Sequence, residues 1–176
     1  MKKIKNILVA SILTMSAFTA TIMTSCNPDA CKDVICSNGG TCTDGSCTCP
    51  SGYEGASCET KTKTKYIGTY VGNGVDNGTP SGTYTGWKMV ISNSDTSSTT
   101  AITVTMKNAS DATMLTFPGT INSAGTFTCP NVTVGTYTYS NITGSGNSLT
   151  GGAGSISYKD DGVPAYTYTF TTMIKQ

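Results

Sequence analysis

The sequence contains no histidine and no arginine among its 176 residues. Without histidine, the chain lacks the usual general base at neutral pH, the Ser-His-Asp triad and most catalytic zinc sites. Without arginine, it lacks the forked side chain that clamps carboxylates and phosphates. The ten acidic residues leave one catalytic alternative, the paired carboxylates of a glycoside hydrolase.

The acidic residues of the second half fall in segments that are typical of turns. They are Asp76, Asp95, Asp111, Asp160 and Asp161, and Asp beside Asn and Gly is a usual turn composition. The glycine-rich stretch TGSGNSLTGGAG lacks the lysine and the following helix of a phosphate-binding loop. We therefore predict a non-catalytic protein without a cofactor, and rank a carboxylate hydrolase last.

Charge is also scarce. Charged residues make up 12% of the chain, and the formal net charge is +1. Three of the eleven lysines lie in the first five residues, so the remainder carries eight lysines against ten acids. A protein that binds nucleic acid needs a basic surface to neutralise phosphates. We therefore predict no nucleic-acid partner.

The first 25 residues have the form of a secretory signal. The basic segment MKKIKN precedes the apolar stretch ILVASILTMSAFTATIM. A transmembrane anchor is the alternative, but it needs about 20 predominantly apolar residues. Five Ser and Thr residues interrupt this stretch, and no basic cluster follows it. We predict a signal peptide over residues 1–25.

The residues MTSC at positions 23–26 resemble the lipobox of bacterial lipoproteins, and the Thr-Ser-Cys ending resembles those of Bacteroidetes-type bacteria. Met23 stands where leucine is usual, and Ser25 where glycine or alanine is usual. The resemblance implies that Cys26 becomes the mature N-terminus and carries several acyl chains, which anchor a protein stably. We expect a lipid-anchored protein of the bacterial cell envelope, in the outer membrane, with residues 26–30 as a short tether. Which face of the membrane carries it stays open.

Six further cysteines follow the spacing C-x4-C-x5-C-x4-C-x-C-x8-C over residues 31–58. With NGG before the third cysteine and PSGYEG before the sixth, this segment resembles the EGF-like module. So short a segment cannot bury a useful core and needs disulfides. Six cysteines by themselves allow fifteen pairings. The resemblance implies Cys31–Cys42, Cys36–Cys47 and Cys49–Cys58.

Two kinds of metal site are alternatives for this segment. Zinc favours paired C-x2-C motifs, which the spacing lacks. Calcium-binding EGF-like modules carry Glu or Gln before the first cysteine, where this chain has Ala30. Residues 43–46 also lack the Asp or Asn and the aromatic residue of that version, and calcium needs about six to eight oxygen ligands. We predict no metal.

Thr and Lys alternate in the segment ETKTKTK, residues 59–65. A lysine-rich segment of this kind repels itself and extends as a linker. The alternative is an edge strand that its lysines protect from pairing with other chains. We predict a solvated linker over residues 59–65, followed by a second domain over residues 66–176.

Period-two alternation dominates residues 66–176. Trp87, Met89 and Ile91 fall on one face, as is typical of half-buried antiparallel strands. About eight such strands at regular spacing predict an all-β fold, an antiparallel β-barrel with a β-sandwich as the alternative. The predicted strands cover residues 66–72, 84–92, 100–107, 114–121, 126–129, 132–139, 148–158 with a break at 151–152, and 166–174.

Three features of this domain resemble small calycin-like, lipocalin-type domains of bacterial lipoproteins. They are the opening YIGTY from Tyr66, the segment TGSGNSLTGGAGSISYKDDG and the aromatic closing strand. The resemblance covers about residues 66–175. It implies a barrel whose interior either holds a small ligand or is filled by side chains.

Five aromatic residues are the candidate ligand contacts. They are Trp87, Tyr137, Tyr139, Tyr166 and Tyr168, with Tyr158 as a further tyrosine of the group. Aromatic rings with polar tips suit a glycan or a protein surface, although the alternation around Trp87 favours a place in the core. We predict that the EGF-like module is a spacer or contact element and that the β domain binds a protein or glycan. The alternative is a carrier of a small apolar ligand.

Cys129 is the remaining cysteine. It has no partner once Cys26 is lipidated and the six cysteines of the EGF-like segment are paired. A nucleophilic role lacks the histidine that would activate the thiol. We expect Cys129 to be a buried thiol that packs as a small apolar side chain.

Overall fold

The computed structural model describes residues 29–176. The predicted signal peptide and the lipidated Cys26 therefore lie outside the described residues.

Two short hairpins form the EGF-like segment. Strands β1 (Thr41–Thr43) and β2 (Ser46–Thr48) pair around the two-residue turn Asp44-Gly45. Both turn residues have positive φ, +49° and +82°, as in the type I′ turns that suit the twist of a hairpin. Strand β3 (Tyr53–Glu54) pairs with β4 (Thr60–Lys61).

Three disulfides hold these hairpins together. They are Cys31–Cys42, Cys36–Cys47 and Cys49–Cys58, the pairs that the EGF-like resemblance implies. Within residues 31–58, which the structure describes completely, Cys58 is the one buried hydrophobic side chain. The cross-links therefore supply the stability that so small a segment cannot obtain from a core.

The rest of the chain forms a closed antiparallel barrel of eight strands, which confirms the predicted fold class and excludes the sandwich. The barrel strands are β5 (Gly68–Asp76), β6 (Thr83–Asn93), β7 (Ala101–Lys107), β8 (Thr113–Ile121), β9 (Thr126–Cys129), β11 (Tyr137–Ser145), β12 (Ala153–Asp160) and β13 (Thr167–Lys175), with the short β10 (Val132–Val134) added beside β11. Successive strands of the barrel pair with each other, β9 pairs with β11 rather than with β10, and β13 closes the barrel by pairing with β5.

Inward-facing side chains fill the barrel. On β7, for example, Ile102, Val104 and Met106 are fully buried and alternate with half-buried neighbours. The largest fully buried side chains come from strands all around the barrel and include Tyr70, Met89, Phe117, Phe127, Ile142, Ile156, Phe170 and Met173. The interior is therefore a packed core, as in other small barrels.

Two parts of the predicted strand pattern were wrong. Residues 148–152 form a turn, so the strand predicted from residue 148 begins only at Ala153. Residues 132–139 form the β10–β11 hairpin, with Gly135 at φ +63°, where one strand was predicted. Strand β11 then continues to Ser145. Its register against β12 shifts between Ser140 and Thr143, and Asn141 there has φ +52°. Because this bulge interrupts the alternation, a period-two pattern could not reveal the strand.

The prediction of a solvated linker was also wrong. After β4, a 3-10 helix spans Thr62–Tyr66. Lys63 is only 2% exposed, and its Nζ donates to the backbone oxygens of Asp95 and Ala101, each at 2.8 Å. Burial lowers the pKa of Lys63, and the two carbonyl oxygens satisfy the buried ammonium group. This helix is too short to cross a membrane, and the described residues contain no helix that could.

The EGF-like segment packs against the β6–β7 loop, residues 94–100. Lys61 Nζ donates to the backbone oxygens of Thr96 and Ser97 in this loop. Gly52 lies so close to the same loop that an added Cβ would be 2.7 Å from the Cβ of Thr99. Together with Lys63, these contacts fix the segment to one end of the barrel.

Candidate ligand-binding cleft

The opposite end of the barrel carries two neighbouring loops. The β5–β6 loop covers residues 77–82, and the β12–β13 loop covers residues 161–166. Because β13 pairs with β5, the loops lie side by side. The backbone N–H of Thr167 donates to Oδ1 of Asn77 at 2.7 Å, and the N–H of Asn77 donates back to the oxygen of Thr167 at 3.2 Å. The full length of β6, eleven residues, separates this end from the EGF-like segment.

Asp76 organises the β5–β6 loop. Its Oδ1 accepts hydrogen bonds from the N–H groups of Gly78 at 2.8 Å and Gly82 at 2.9 Å. Its Oδ2 accepts one from the hydroxyl of Tyr84 at 2.8 Å. The bonds from Gly82, Gly78 and Tyr84 favour the charged carboxylate and lower the pKa of Asp76. The carboxylate thereby fixes both the loop and the Tyr84 ring.

Asp160 organises the β12–β13 loop in the same way. Its Oδ1 accepts from the N–H groups of Gly162 at 3.3 Å and Tyr166 at 2.9 Å, and its Oδ2 accepts from the hydroxyl of Tyr168 at 3.2 Å. In both loops the donors therefore lie two, six and eight residues after the aspartate.

The two loops also share a sequence pattern. Residues 76–84 read DNGTPSGTY and residues 160–168 read DDGVPAYTY, so they share the pattern D-x-G-x-P-x-x-T-Y. The X-Pro bond of each loop is cis. Sequence reasoning interpreted the aspartates as turn residues, which is correct for the loops, but missed that each one also holds a tyrosine. Comparison of the two segments with each other would have given that signal.

Two adjoining clefts open near this end of the barrel, the first lined by strand residues alone and the second by strand residues and the β12–β13 loop. The first, here named the tryptophan cleft, has a volume of about 260 Å³ and is lined by Tyr84, Trp87, Leu115, Tyr139, Tyr158 and Tyr168. The second, the tyrosine cleft, has a volume of about 290 Å³ and is lined by Tyr137, Tyr139, Asp160, Val163, Tyr166 and Tyr168. Tyr139 and Tyr168 belong to both.

All five aromatic residues singled out from the sequence line these clefts. Trp87 lies in the tryptophan cleft, Tyr137 and Tyr166 in the tyrosine cleft, and Tyr139 and Tyr168 at their junction. Trp87 is half-buried and also packs against the core. The side chain therefore both lines the cleft and belongs to the core packing, the two roles that the sequence suggested for it. The further tyrosine, Tyr158, is buried at the base of the tryptophan cleft. Among the aromatic and charged lining residues, Tyr84 and Asp160 were not singled out from the sequence as ligand contacts.

The rings of the tryptophan cleft pack into a continuous aromatic layer. Tyr84 meets Trp87 edge-on, with ring centroids 5.3 Å apart and planes at 77°. Tyr158 stacks on Tyr168 at 5.1 Å with planes at 21°. Tyr84 and Tyr168 join these pairs at 5.7 Å. Such aromatic pairs stabilise a fold by more than the area they bury would give, so the layer forms a well-packed wall of the cleft.

Burial and negative charge together raise the pKa of these tyrosines. Burial, and then the carboxylate of Asp76, raises the pKa of Tyr84 to about 12. Burial is also the main cause for Tyr139, Tyr158 and Tyr168, and the charge of Asp160 raises the pKa of all three further. At neutral pH the phenols of Tyr84, Tyr139, Tyr158 and Tyr168 are therefore protonated and uncharged, and those of Tyr139 and Tyr168 line the tyrosine cleft beside the carboxyl group of Asp160. This environment suits a neutral or cationic ligand.

We expect the Asp76→Asn variant to be less stable than the wild type at about pH 7 and to approach wild-type stability towards about pH 3. The pKa of Asp76 is lowered in the folded state. The stabilisation by the Asp76 carboxylate is therefore complete at pH values above its pKa in the unfolded state, about 3.9. It is lost as the pH falls through the lower pKa of the folded state. Urea unfolding followed by Trp87 fluorescence at several pH values measures the difference.

The control is Asp33→Asn, which neutralises an exposed carboxylate in the EGF-like segment. Asp95 and Asp111 also have lowered pKa values, but they are present in both proteins and cancel in the comparison. A stability difference for Asp76→Asn that stayed constant down to about pH 3 would show that the carboxylate charge does not stabilise the loop.

Cys129 is half-buried, not fully buried as expected, and packs against the core of the barrel. Burial raises the pKa of the Cys129 thiol to about 11, so the thiol is protonated at neutral pH and weakly nucleophilic. Residues 29–176 contain no cluster of three or more His, Cys, Asp or Glu side chains that could hold a metal ion.

Comparison with known families gives one match. Residues 31–61 match the family described as the Teneurin-like EGF domain. The match ends at the last residue of β4, so it includes the second hairpin. No curated protein and no solved structure matches the chain significantly. The family match, the three disulfides and the two hairpins together identify an EGF-like module that precedes a closed eight-stranded barrel.

Proposed function

We propose that this protein is a non-catalytic lipoprotein of the bacterial cell envelope, anchored through Cys26, whose barrel recognises a protein or glycan partner. The observation that carries the proposal is the convergence of all five predicted aromatic residues on two adjoining clefts at one end of the barrel. Open clefts lined by aromatic rings and a few polar groups are the usual form of a ligand site.

The position of the EGF-like module supports its role as a spacer. The module follows directly after the predicted anchor and packs on the barrel end that is remote from the clefts. Lys61 and Lys63 attach this part of the chain to the barrel through four hydrogen bonds to backbone oxygens, three in the β6–β7 loop and one at Ala101, the first residue of β7. In an anchored protein, this arrangement would direct the clefts away from the membrane.

The eight-stranded barrel, in which strands pair largely in sequence order, supports the calycin-like relationship that we propose for residues 66–176. The packing favours a ligand at the barrel mouth over the carrier alternative. Phe117, Phe127 and Phe170 are fully buried in the interior, so an enclosed ligand would have to displace core side chains.

The proposal is tested by applying the full-length protein, and a variant carrying Tyr137→Ser and Tyr166→Ser, to glycan and protein arrays. Tyr137 is 50% exposed, and Tyr166 is half-buried, so neither belongs to the core. We expect the wild type to bind a defined partner and the variant to bind it at least about tenfold more weakly, as for central aromatic contacts in other interfaces.

The matched control is Val75→Ser, which changes a residue of similar exposure, 49%, on the outer face of the same barrel end. It should bind as the wild type does. Equal binding by the double tyrosine variant and the wild type would place the recognition surface elsewhere on the protein.

A further inference from the structure

The tyrosine cleft surrounds a carboxylate with aromatic rings. Four tyrosines, Tyr137, Tyr139, Tyr166 and Tyr168, line it together with Asp160, which is only 7% exposed. The cleft volume of about 290 Å³ lies at the lower end of the range for ligand pockets. A small group therefore fits it, rather than an extended chain.

The charge of Asp160 has no counter-ion within the described residues. The two ion pairs among residues 29–176 are Lys65–Glu54 and Lys88–Asp111, and neither is at this cleft. The lysine next in sequence, Lys159, is exposed, and no lysine lines the cleft. A carboxylate that is largely buried without a cation is costly unless other groups compensate it. The three hydrogen bonds that Asp160 accepts compensate part of this cost, and a cationic ligand would add the charge partner that they do not supply.

The hydrogen bonds of Asp160 restrict the type of cation. Its oxygens already accept three bonds from the protein, from Gly162, Tyr166 and Tyr168. A carboxylate has about four acceptor positions, so Asp160 keeps about one. A primary ammonium group, which has three N–H donors, could therefore place only one of them on Asp160. A methylated ammonium group needs no hydrogen bond, because it is attracted by the field of the carboxylate and by the faces of aromatic rings.

The tyrosines are suited to this contact. The charge of Asp160 contributes to the raised pKa of Tyr139 and Tyr168, so its field reaches the rings on either side of the cleft junction. These phenols remain neutral at physiological pH, and their rings keep the negative face that attracts cations.

We infer that the tyrosine cleft binds a methylated ammonium group, of the kind carried by choline. This inference rests on the proposed role of the clefts as the recognition site and specifies the chemistry of the group that is recognised. Asp160 supplies the charge, and the four tyrosines supply the aromatic lining.

Calorimetric titration of the full-length protein with choline and with 3,3-dimethylbutan-1-ol tests the charge directly, because the second compound has the same shape without the charge. We expect choline to bind at least about tenfold more tightly. Ethanolamine, the unmethylated analogue, should also bind more weakly than choline. Phosphocholine and phosphatidylcholine vesicles distinguish a lipid headgroup from free choline as the source of the group.

Asp160→Asn keeps an amide oxygen for the loop N–H groups and removes the charge. We expect it to abolish the preference for choline over the neutral analogue. Asp95→Asn, which removes a turn-forming carboxylate at the opposite end of the barrel, should keep the preference. Tyr166→Leu should weaken choline binding without altering the charge of the cleft.

Equal binding of choline and its neutral analogue would overturn the inference while leaving the clefts as a binding site. Failure of choline to bind would also overturn it, and the array experiment with the double tyrosine variant would then decide the proposed function independently. Retention of the choline preference in Asp160→Asn would show that the carboxylate does not determine it.

Discussion

Replacing Phe170 with alanine is expected to lower the free energy of unfolding by about 3–5 kcal/mol. Phe170 is fully buried on β13, and its ring centroid lies 5.5 Å from that of Trp87 and 6.0 Å from that of Tyr84. The ring covers Gly74 on β5 so closely that an added Cβ there would be 2.3 Å from it. Because Gly74 has no side chain to fill the space, the loss should fall in the upper part of the range.

Urea unfolding followed by circular dichroism and by Trp87 fluorescence measures this effect. Val75→Ala, on the outer face next to Gly74 and 49% exposed, is the control and should cost less than about 1 kcal/mol. Phe170→Leu should cost less than Phe170→Ala because it keeps more of the volume. Equal stabilities for Phe170→Ala and the wild type would contradict the packed interior and would revive the carrier alternative.

Removing the central disulfide of the EGF-like module, by changing Cys36 and Cys47 to alanine, should destabilise the module by about 2–5 kcal/mol. The module has almost no core of its own, since Cys58 is its one buried hydrophobic side chain within residues 31–58. Without the cross-link, the unfolded module has more chain entropy, and the folded module has too little hydrophobic packing to offset that gain. We expect new proteolytic cleavage between residues 36 and 47, the cysteines of this bond.

The barrel should tolerate the loss of this disulfide. Trp87 is the single tryptophan of the chain and lies at the end of the barrel remote from the module. The unfolding transition of the barrel, followed by Trp87 fluorescence, should therefore stay close to that of the wild type. Cys129→Ala, which removes a thiol that forms no cross-link, is the control for cysteine loss and should create no cleavage site in the module. A shared transition of module and barrel would mean that the two fold as one cooperative unit.

Local sequence patterns predicted most of the fold. Cysteine spacing predicted the EGF-like module because disulfide frameworks constrain spacing directly. Alternation on β6 and β7 predicted which residues face inwards, since Met89, Ile91, Ile102 and Val104 are all buried. The bulge in β11 removed the alternation on which such a prediction depends, so that strand was missed.

The structure of residues 59–65 could not be predicted for a different reason. Alternating Thr and Lys has the composition of a solvated segment. Lys63 is nevertheless buried, because Asp95 in the loop after β6 and Ala101 at the start of β7 each offer it a carbonyl oxygen. Those acceptors lie more than thirty residues away in the sequence. No property of residues 59–65 alone reveals that they are present.

The sequence by itself determined the class of this protein: the module and its cysteine spacing, an all-β second domain, and a set of aromatic residues suited to binding. Only the tertiary structure decided where those residues meet. Closure of the barrel pairs β13 with β5, and this brings Asp76 and Asp160 with their tyrosines to one end although 84 positions separate them. Strand alternation is a local property, whereas the pairing that closes a barrel joins distant strands, so the clefts exist only in the folded chain.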